Sequence, residues 1–216
     1  MVFLDASAPV VSREPVLRRP FRAPLLAAGA AALVAAALVA VARWIGIAPR
    51  RLFQDPAGQF DFPAYAGLIS YLGVALLVAT TTIGLFAVAL RGRGAAPLGL
   101  VAGFSALLAA DALLMLHERV LPAVLGLHEV ALYGLYAALV ALILVRLPRG
   151  LGSWGVVVPL GLLAASVGVD LMEMPMNTRV LLEDTAKVAG FAAWLAFWAS
   201  FAAARMREGM AGGARA

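Results

Sequence analysis

The chain has 216 residues, of which 63% are hydrophobic and only 13% charged, and its formal net charge is +5. Soluble globular proteins carry about 25% charged residues, so this composition excludes an ordinary soluble domain. The absence of cysteine excludes disulfides, thiolate metal sites and thiol nucleophiles. The arginines flank apolar segments, which is typical of membrane topology signals and not of a nucleic-acid interface.

Six apolar segments are long enough to cross a bilayer, which takes about 20 residues in a helix. They predict an all-α protein, a polytopic transmembrane bundle of six helices. Residues 24–204 form the membrane domain, and residues 1–23 and 205–216 form the two tails. In chain order the predicted spans are Pro24–Ile47, Pro63–Leu90, Pro97–Leu116, Leu121–Val145, Trp154–Leu171 and Val180–Ala204.

Positive charge is shared unevenly between the two sides of these predicted spans. Eleven arginines fall on the side of the termini and five on the other. The positive-inside rule therefore predicts that both termini are cytoplasmic. Abundant arginine and alanine beside a single lysine favours a bacterial source, and hence a multi-pass protein of the bacterial inner membrane.

Polar residues recur at helical spacing at the outer ends of four predicted spans. Residues three, four or seven apart share one helix face, so each span presents one polar stripe. Ionisable groups in or near hydrocarbon are costly and mark functional sites. In chain order the stripes are Asp111 and Glu118; Glu129, Tyr133 and Tyr136; Ser166, Asp170 and Glu173; and Glu183, Lys187, Gly190 and Trp194.

Acids greatly outnumber cations in these stripes, and a bound cation would offset the excess. Histidine and carboxylate ligands suit Zn, Mn or Fe. The first hypothesis is an outward-facing divalent metal site, which with an open coordination position would activate water to hydrolyse a lipid-like substrate. The spacing matches no established metal motif, and catalysis stays open. The predicted ligands are Asp111, His117, Glu118, His128, Glu129, Asp170 and Glu173.

A second hypothesis needs no metal. The acids would form a structural or proton-relay network in a non-catalytic accessory subunit of a larger energy-converting or transport complex. The predicted ion-pair network contains Glu183, Asp184 and Lys187. By depth in the membrane, Lys187 is also the predicted counter-ion of Asp111 or Glu129.

A third hypothesis rests on methionine. Met172, Met174 and Met176 alternate along one loop, and Met115 lies at a matching level. Soft thioethers favour Cu(I), which would make this a copper-handling site on the periplasmic side. Methionine also fills irregular gaps at helix ends, and the sequence leaves both interpretations open.

Two resemblances bear on the fold. The segment Leu182–Phe191 resembles the retinal-lysine helix of microbial rhodopsins, but six predicted spans in place of seven disfavour that family. A broader pattern, Asp…His-Glu in the third span and Glu…Lys…Gly…Trp in the last, resembles a group of uncharacterised bacterial six-helix membrane proteins. It implies a shared fold and no particular activity. The residues that carry it are Asp111, His117, Glu118, Glu183, Lys187, Gly190 and Trp194.

Overall fold

The computed structural model describes residues 22–48, 50–53, 60–61, 63, 65–91, 96–126, 128–146 and 153–213. Within these ranges the secondary structure is helical, without a strand. Most of the predicted N-terminal tail, residues 1–21, and the end of the C-terminal tail, residues 214–216, lie outside them. The chain divides into two compact units, Met1–Ala66 and Gly67–Ala216.

In the described part of the first unit lie a long helix, α1 (Arg22–Trp44), and a short helix, α2 (Arg50–Phe53). The predicted span Pro24–Ile47 corresponds to α1. Its alanine-rich sequence favours helix, and the chain turns at Gly46, whose φ of +79° suits a residue without a Cβ. The large apolar side chains described along α1 are mostly exposed.

The second unit contains six α-helices, one π-helix and one 3₁₀ turn among the residues described. Helix α3 packs against α4 and α8, and α7 also packs against α8. The elements in chain order are α3 (Leu68–Arg91), α4 (Ala96–Leu114), the π-helix Leu116–Val120, α5 (Leu121–Leu125), α6 (Glu129–Val145), the 3₁₀ turn Ser153–Val156, α7 (Val157–Asp170) and α8 (Met176–Gly213).

In the part of the chain that the structure describes, three helical segments are long and apolar enough to cross a membrane: Leu68–Leu90, Ala96–Leu114 and Met176–Arg207. A fourth would be added if Leu116–Leu125 and Val130–Val145 formed one broken span. The predicted all-α class is therefore confirmed for the described residues. The prediction of six spans stays a prediction, since three long spans, or four with the broken one, are found there by length and composition.

The predicted span Leu121–Val145 is not one helix. The axes of Leu116–Leu125 and Val130–Val145 are inclined by 116°. Helix α5 ends at Gly126, which adopts the left-handed conformation with φ of +66°. A glycine in this conformation commonly ends a helix, because it bears no Cβ to clash with the backbone.

Two other predicted spans have shifted boundaries. The span Trp154–Leu171 begins with the 3₁₀ turn, so its α-helix has only 14 residues. The last predicted span, Val180–Ala204, is the middle of a 38-residue helix, α8. The pattern of apolar residues predicted where these helices lie in the sequence, but it did not predict the residues at which they begin and end.

The core of the second unit is built around two tryptophans of α8. Trp194 and Trp198 are each 1% exposed and meet edge to face, with ring centroids 5.4 Å apart. Phe104 of α4 and Phe197 pack their rings against them in the same manner. The indole Nε1 of Trp194 donates a hydrogen bond of 3.0 Å to the buried Ser105 hydroxyl, which ties α8 to α4.

Helices α3 and α4 are in close contact at Gly84. A Cβ on Gly84 would lie 2.9 Å from the Cβ of Ala102 and 2.9 Å from the carbonyl oxygen of Leu98. Small residues allow helix backbones to approach this closely. The van der Waals contacts that result are one of the interactions that hold helices together in lipid. A Cβ on Gly103 of α4 would meet no atom within 4 Å, so Gly103 serves as a matched site without this constraint.

We predict that Gly84→Ala destabilises the protein by about 1–3 kcal/mol, the usual cost of overpacking a tight contact. Gly103→Ala should be neutral or stabilising by up to about 1 kcal/mol, because alanine favours helix over glycine. Reversible denaturation in mild detergent measures both. Equal stability of the two variants would contradict the close contact between α3 and α4.

Candidate functional site

The site is organised by Asp111, in the last turn of α4. Asp111 is 4% exposed. Its Oδ1 accepts a hydrogen bond of 2.8 Å from the backbone N–H of His117, and its Oδ2 lies 2.7 Å from Nδ1 of the same histidine. A buried carboxylate is costly unless its oxygens are bonded, and both oxygens of Asp111 are.

The backbone between these two residues explains how they meet. Met115 has φ of 52° and ψ of 45°, the left-handed conformation, and the π-helix Leu116–Val120 follows it directly. For a residue with a Cβ this conformation costs about 1–2 kcal/mol. The reversal turns His117 back onto the end of α4, and the two hydrogen bonds to Asp111 stabilise it there. Single π-helical turns occur frequently at functional sites.

The charge of the partner determines which tautomer of the imidazole fits this contact. An ionised carboxylate only accepts hydrogen bonds, so opposite an ionised Asp111 it is Nδ1 of His117 that carries the hydrogen and donates it. In the neutral ring Nε2 is then the basic nitrogen. Nε2 lies 3.7 Å from Oε1 of Glu118. The rings of Tyr133 and Tyr136 flank the imidazole, with centroids 5.3 and 6.4 Å away.

His117 lies beyond the end of α4, outside the three long candidate spans. The hydrogen bond to Asp111 raises the pKa of His117 above its ordinary 6.5, and the negative charges of Asp111 and Glu118 add to the effect. Partial burial and the positive charge of Lys187 oppose it. Because the folded pKa is the higher one, the charged pair stabilises the fold fully below pH 6.5. That stabilisation is lost as the pH rises through the folded pKa.

A second cluster surrounds Asp170, the last residue of α7. The Tyr133 hydroxyl donates a hydrogen bond of 2.8 Å to Oδ2 of Asp170. Nη1 of Arg179 lies 3.6 Å from Oδ1 and donates to the Asp170 backbone carbonyl at 3.3 Å. These contacts join α6, α7 and α8. Since Tyr133 also packs on His117, the two clusters are neighbours.

The ammonium of Lys187 forms ion pairs within its own helix. Nζ lies 2.6 Å from Oε1 of Glu183 and 3.6 Å from Oδ1 of Asp184, at spacings of four and three residues. The expected pairing of Lys187 with Asp111 is not what the structure contains: His117 binds that carboxylate. Lys187 can reach acids one turn away on its own helix without any change in helix packing. The prediction compared only the depths of residues in the membrane, and depth does not distinguish these acids from those on other helices.

The other predicted metal ligands are dispersed. His128 is exposed and caps α6, its Nδ1 accepting from the Val130 backbone N–H at 3.3 Å. Glu173 is exposed in the loop after α7. The side chain of Glu129 lies outside the described residues. Among the side chains described, no group of three or more His, Asp or Glu residues could hold a metal ion.

The predicted copper residues lie around the same end of the second unit. Met115, Met172 and Met176 are exposed, and Met174 is half-buried. The sulfur of Met176 accepts a hydrogen bond of 3.6 Å from Nη2 of Arg179. Copper binding stays a prediction.

Sequence reasoning did not identify Arg179 as part of the site. It entered only as a charge that sets topology, yet it pairs with Asp170. A usable signal was present: nine residues separate the two, and the proline at position 175 between them favours a turn that reverses the chain. The direct bond between Asp111 and His117 was also missed, because six residues is not a helical spacing.

A comparison with protein-family models matched residues 25–201 to the family described as Domain of unknown function (DUF8692). Neither curated proteins nor solved structures gave a match.

We predict that Asp111→Asn destabilises the protein mainly at low pH. Asparagine keeps an acceptor for the His117 backbone N–H but removes the charge that favours the imidazolium. Below pH 6.5, the free energy of unfolding of Asp111→Asn should be lower than that of the unmodified chain by about 1–3 kcal/mol. This difference should shrink as the pH rises through the folded pKa of His117.

Denaturation at a series of pH values measures this difference, with Glu173→Gln as the control for loss of an exposed carboxylate. A loss of stability in Asp111→Asn that is the same at every pH would contradict the charged pair.

Proposed function

The chain belongs to the family described as Domain of unknown function (DUF8692), and we propose that it is a multi-pass membrane protein with a proton-exchanging carboxylate–histidine site. In this proposal six helices cross the bacterial inner membrane, both termini are cytoplasmic, and the site faces outward. The group that gains and loses the proton is the imidazole of His117, with Asp111 as its fixed counter-ion.

One observation carries the proposal: both oxygens of the buried Asp111 are bonded to His117. This arrangement fixes the ring and leaves Nε2 as the atom that exchanges protons. Glu118, 3.7 Å away and exposed, is the adjacent carboxylate through which protons would pass to water.

The pairing of the acids supports a network over a metal centre. Asp111 is bonded to His117, Asp170 to Tyr133 and Arg179, and both Glu183 and Asp184 contact Lys187. Four of the acids whose excess suggested a bound cation therefore have donors within the protein itself. Each hydrogen bond that such a carboxylate accepts occupies a lone pair that would otherwise be open to a metal ion.

The polar groups also favour an accessory role. The charged groups Asp111 and Lys187 lie in the last turn of α4 and in the N-terminal third of α8, whereas the core around Trp194 and Trp198 contains no charged residue among those described. A proton conductor needs a polar path through the whole membrane. We therefore propose that this chain supplies a proton-exchanging site to a larger complex and does not conduct protons by itself.

A metal site is the second candidate, and a specific observation favours it. Imidazoles that bind metals commonly donate their other ring N–H to a carboxylate, which orients them. His117 donates to Asp111 in this manner, with Glu118 beside its second nitrogen. Lipid hydrolysis would require this metal, so it depends on the second candidate.

Elemental analysis of protein purified in mild detergent without chelators separates the two candidates. The same sample is examined by mass spectrometry for co-purifying chains. The network proposal predicts that the protein contains no stoichiometric Zn, Mn, Fe or Cu, and that the metal content of His117→Gln is the same. It also predicts that partner chains co-purify in stoichiometric amounts.

Glu173→Gln, an exposed carboxylate outside the network, is the matched control. About one equivalent of metal that is retained in Glu173→Gln and lost in His117→Gln would overturn the network proposal and establish the metal site.

A further inference from the structure

The segment between α4 and α6 is too short and too polar to continue either helix through a bilayer. Leu116–Leu125 has ten residues, about 15 Å of helix, against about 30 Å for the hydrocarbon core. It contains His117, Glu118 and Arg119 in succession. Its axis is inclined by 116° to that of Val130–Val145.

The same segment exposes three large apolar side chains, those of Val120, Val124 and Leu125. Val120 and Val124 are four residues apart and share a helix face, and they are 41% and 73% exposed. Glu118 precedes Val120 by two residues and so points to the other side. His117 and Leu121 are half-buried against the rest of the unit.

The exposed apolar strip is continuous with surface that would contact lipid. Leu113 and Leu114, at the end of α4, are 59% and 57% exposed, and Val130 at the start of α6 is 50% exposed. In water such a strip would be an exposed hydrophobic patch. The segment lies between α4 and α6, which enter the hydrocarbon in the proposed fold. At the surface of the bilayer, the acyl chains would cover the two valines, and Glu118 and Arg119 would lie among the headgroups.

We propose that Leu116–Leu125 lies along the membrane surface, with Val120 and Val124 in the acyl boundary and Glu118 and Arg119 in the headgroup layer. The partner is the lipid surface itself. This inference rests on the proposed membrane location of the chain. It deepens that proposal, because it puts Nε2 of His117 at the boundary between hydrocarbon and water.

Site-directed spin labelling tests the proposal directly. The chain contains no cysteine, so each introduced cysteine is the only labelled site. Val124→Cys reports the proposed acyl face and Glu118→Cys the opposite face. Ala106→Cys, an exposed position in the middle of α4, is the deep control. The protein is placed in vesicles of phosphatidylcholine and phosphatidylglycerol, and the nitroxide accessibility to oxygen and to a water-soluble nickel chelate is measured.

We expect the oxygen-to-nickel ratio to be highest at Ala106→Cys, intermediate at Val124→Cys and lowest at Glu118→Cys. A ratio at Val124→Cys equal to that at Ala106→Cys would overturn the inference, because the segment would then be re-entrant. A label at Val124 that neither reagent reaches would also overturn it, because protein would cover the strip. A nickel-accessible label at Ala106→Cys would contradict the membrane location itself, and with it the proposed function.

Discussion

A buried carboxylate has to be bonded, and this requirement organises one end of the second unit. Removing Asp111 from water without partners would cost several kcal/mol. The backbone N–H and the ring of His117 supply those partners. To bring His117 within reach, α4 must end at Leu114 and the chain must reverse through the left-handed Met115. The π-helix begins directly after this reversal, and the reversal sets the position of the imidazole.

The neighbouring contacts extend the constraint across helices. Tyr133 of α6 packs its ring on His117 and donates its hydroxyl to Asp170 of α7, which Arg179 of α8 also binds. Each of these residues therefore fixes the position of another. Buried polar networks of this kind specify one arrangement of helices more than they add stability. The tryptophan core provides the apolar packing on which the network depends.

The hydrogen-bond partners of the acids also favour a site that binds a proton over a site that binds a metal ion. A metal centre needs several unoccupied ligand atoms directed at one point. Here Asp111, Asp170 and Glu183 are bonded to three different donor residues, and Nε2 of His117 is not used in the bond to Asp111. A proton needs only one such basic atom and a path to water, for which Glu118 is adjacent.

Much of the helical architecture was predictable, because long apolar runs in this chain leave few alternatives to helices. The helical spacing of polar residues likewise pointed to the helix ends that carry Asp111 and Asp170 and to the face of α8 that carries Lys187. The sequence could not predict that α5 and α6 are separate helices, since this depends on the backbone conformations of Met115 and Gly126. Nor could it predict partners such as Arg179, because pairing between helices depends on relative rotation and depth.

The most direct test of the account is the protonation state and tautomer of His117 in the folded protein. Nitrogen-15 chemical shifts of selectively labelled histidine, in a His128→Gln background that leaves one imidazole, report both ring nitrogens separately. Above its folded pKa the account predicts a neutral His117 with the hydrogen on Nδ1 and none on Nε2, and a change of that tautomer balance in Asp111→Asn. A neutral ring with its hydrogen on Nε2, unaffected by Asp111→Asn, would contradict the Asp111–His117 bond on which the proposed function rests.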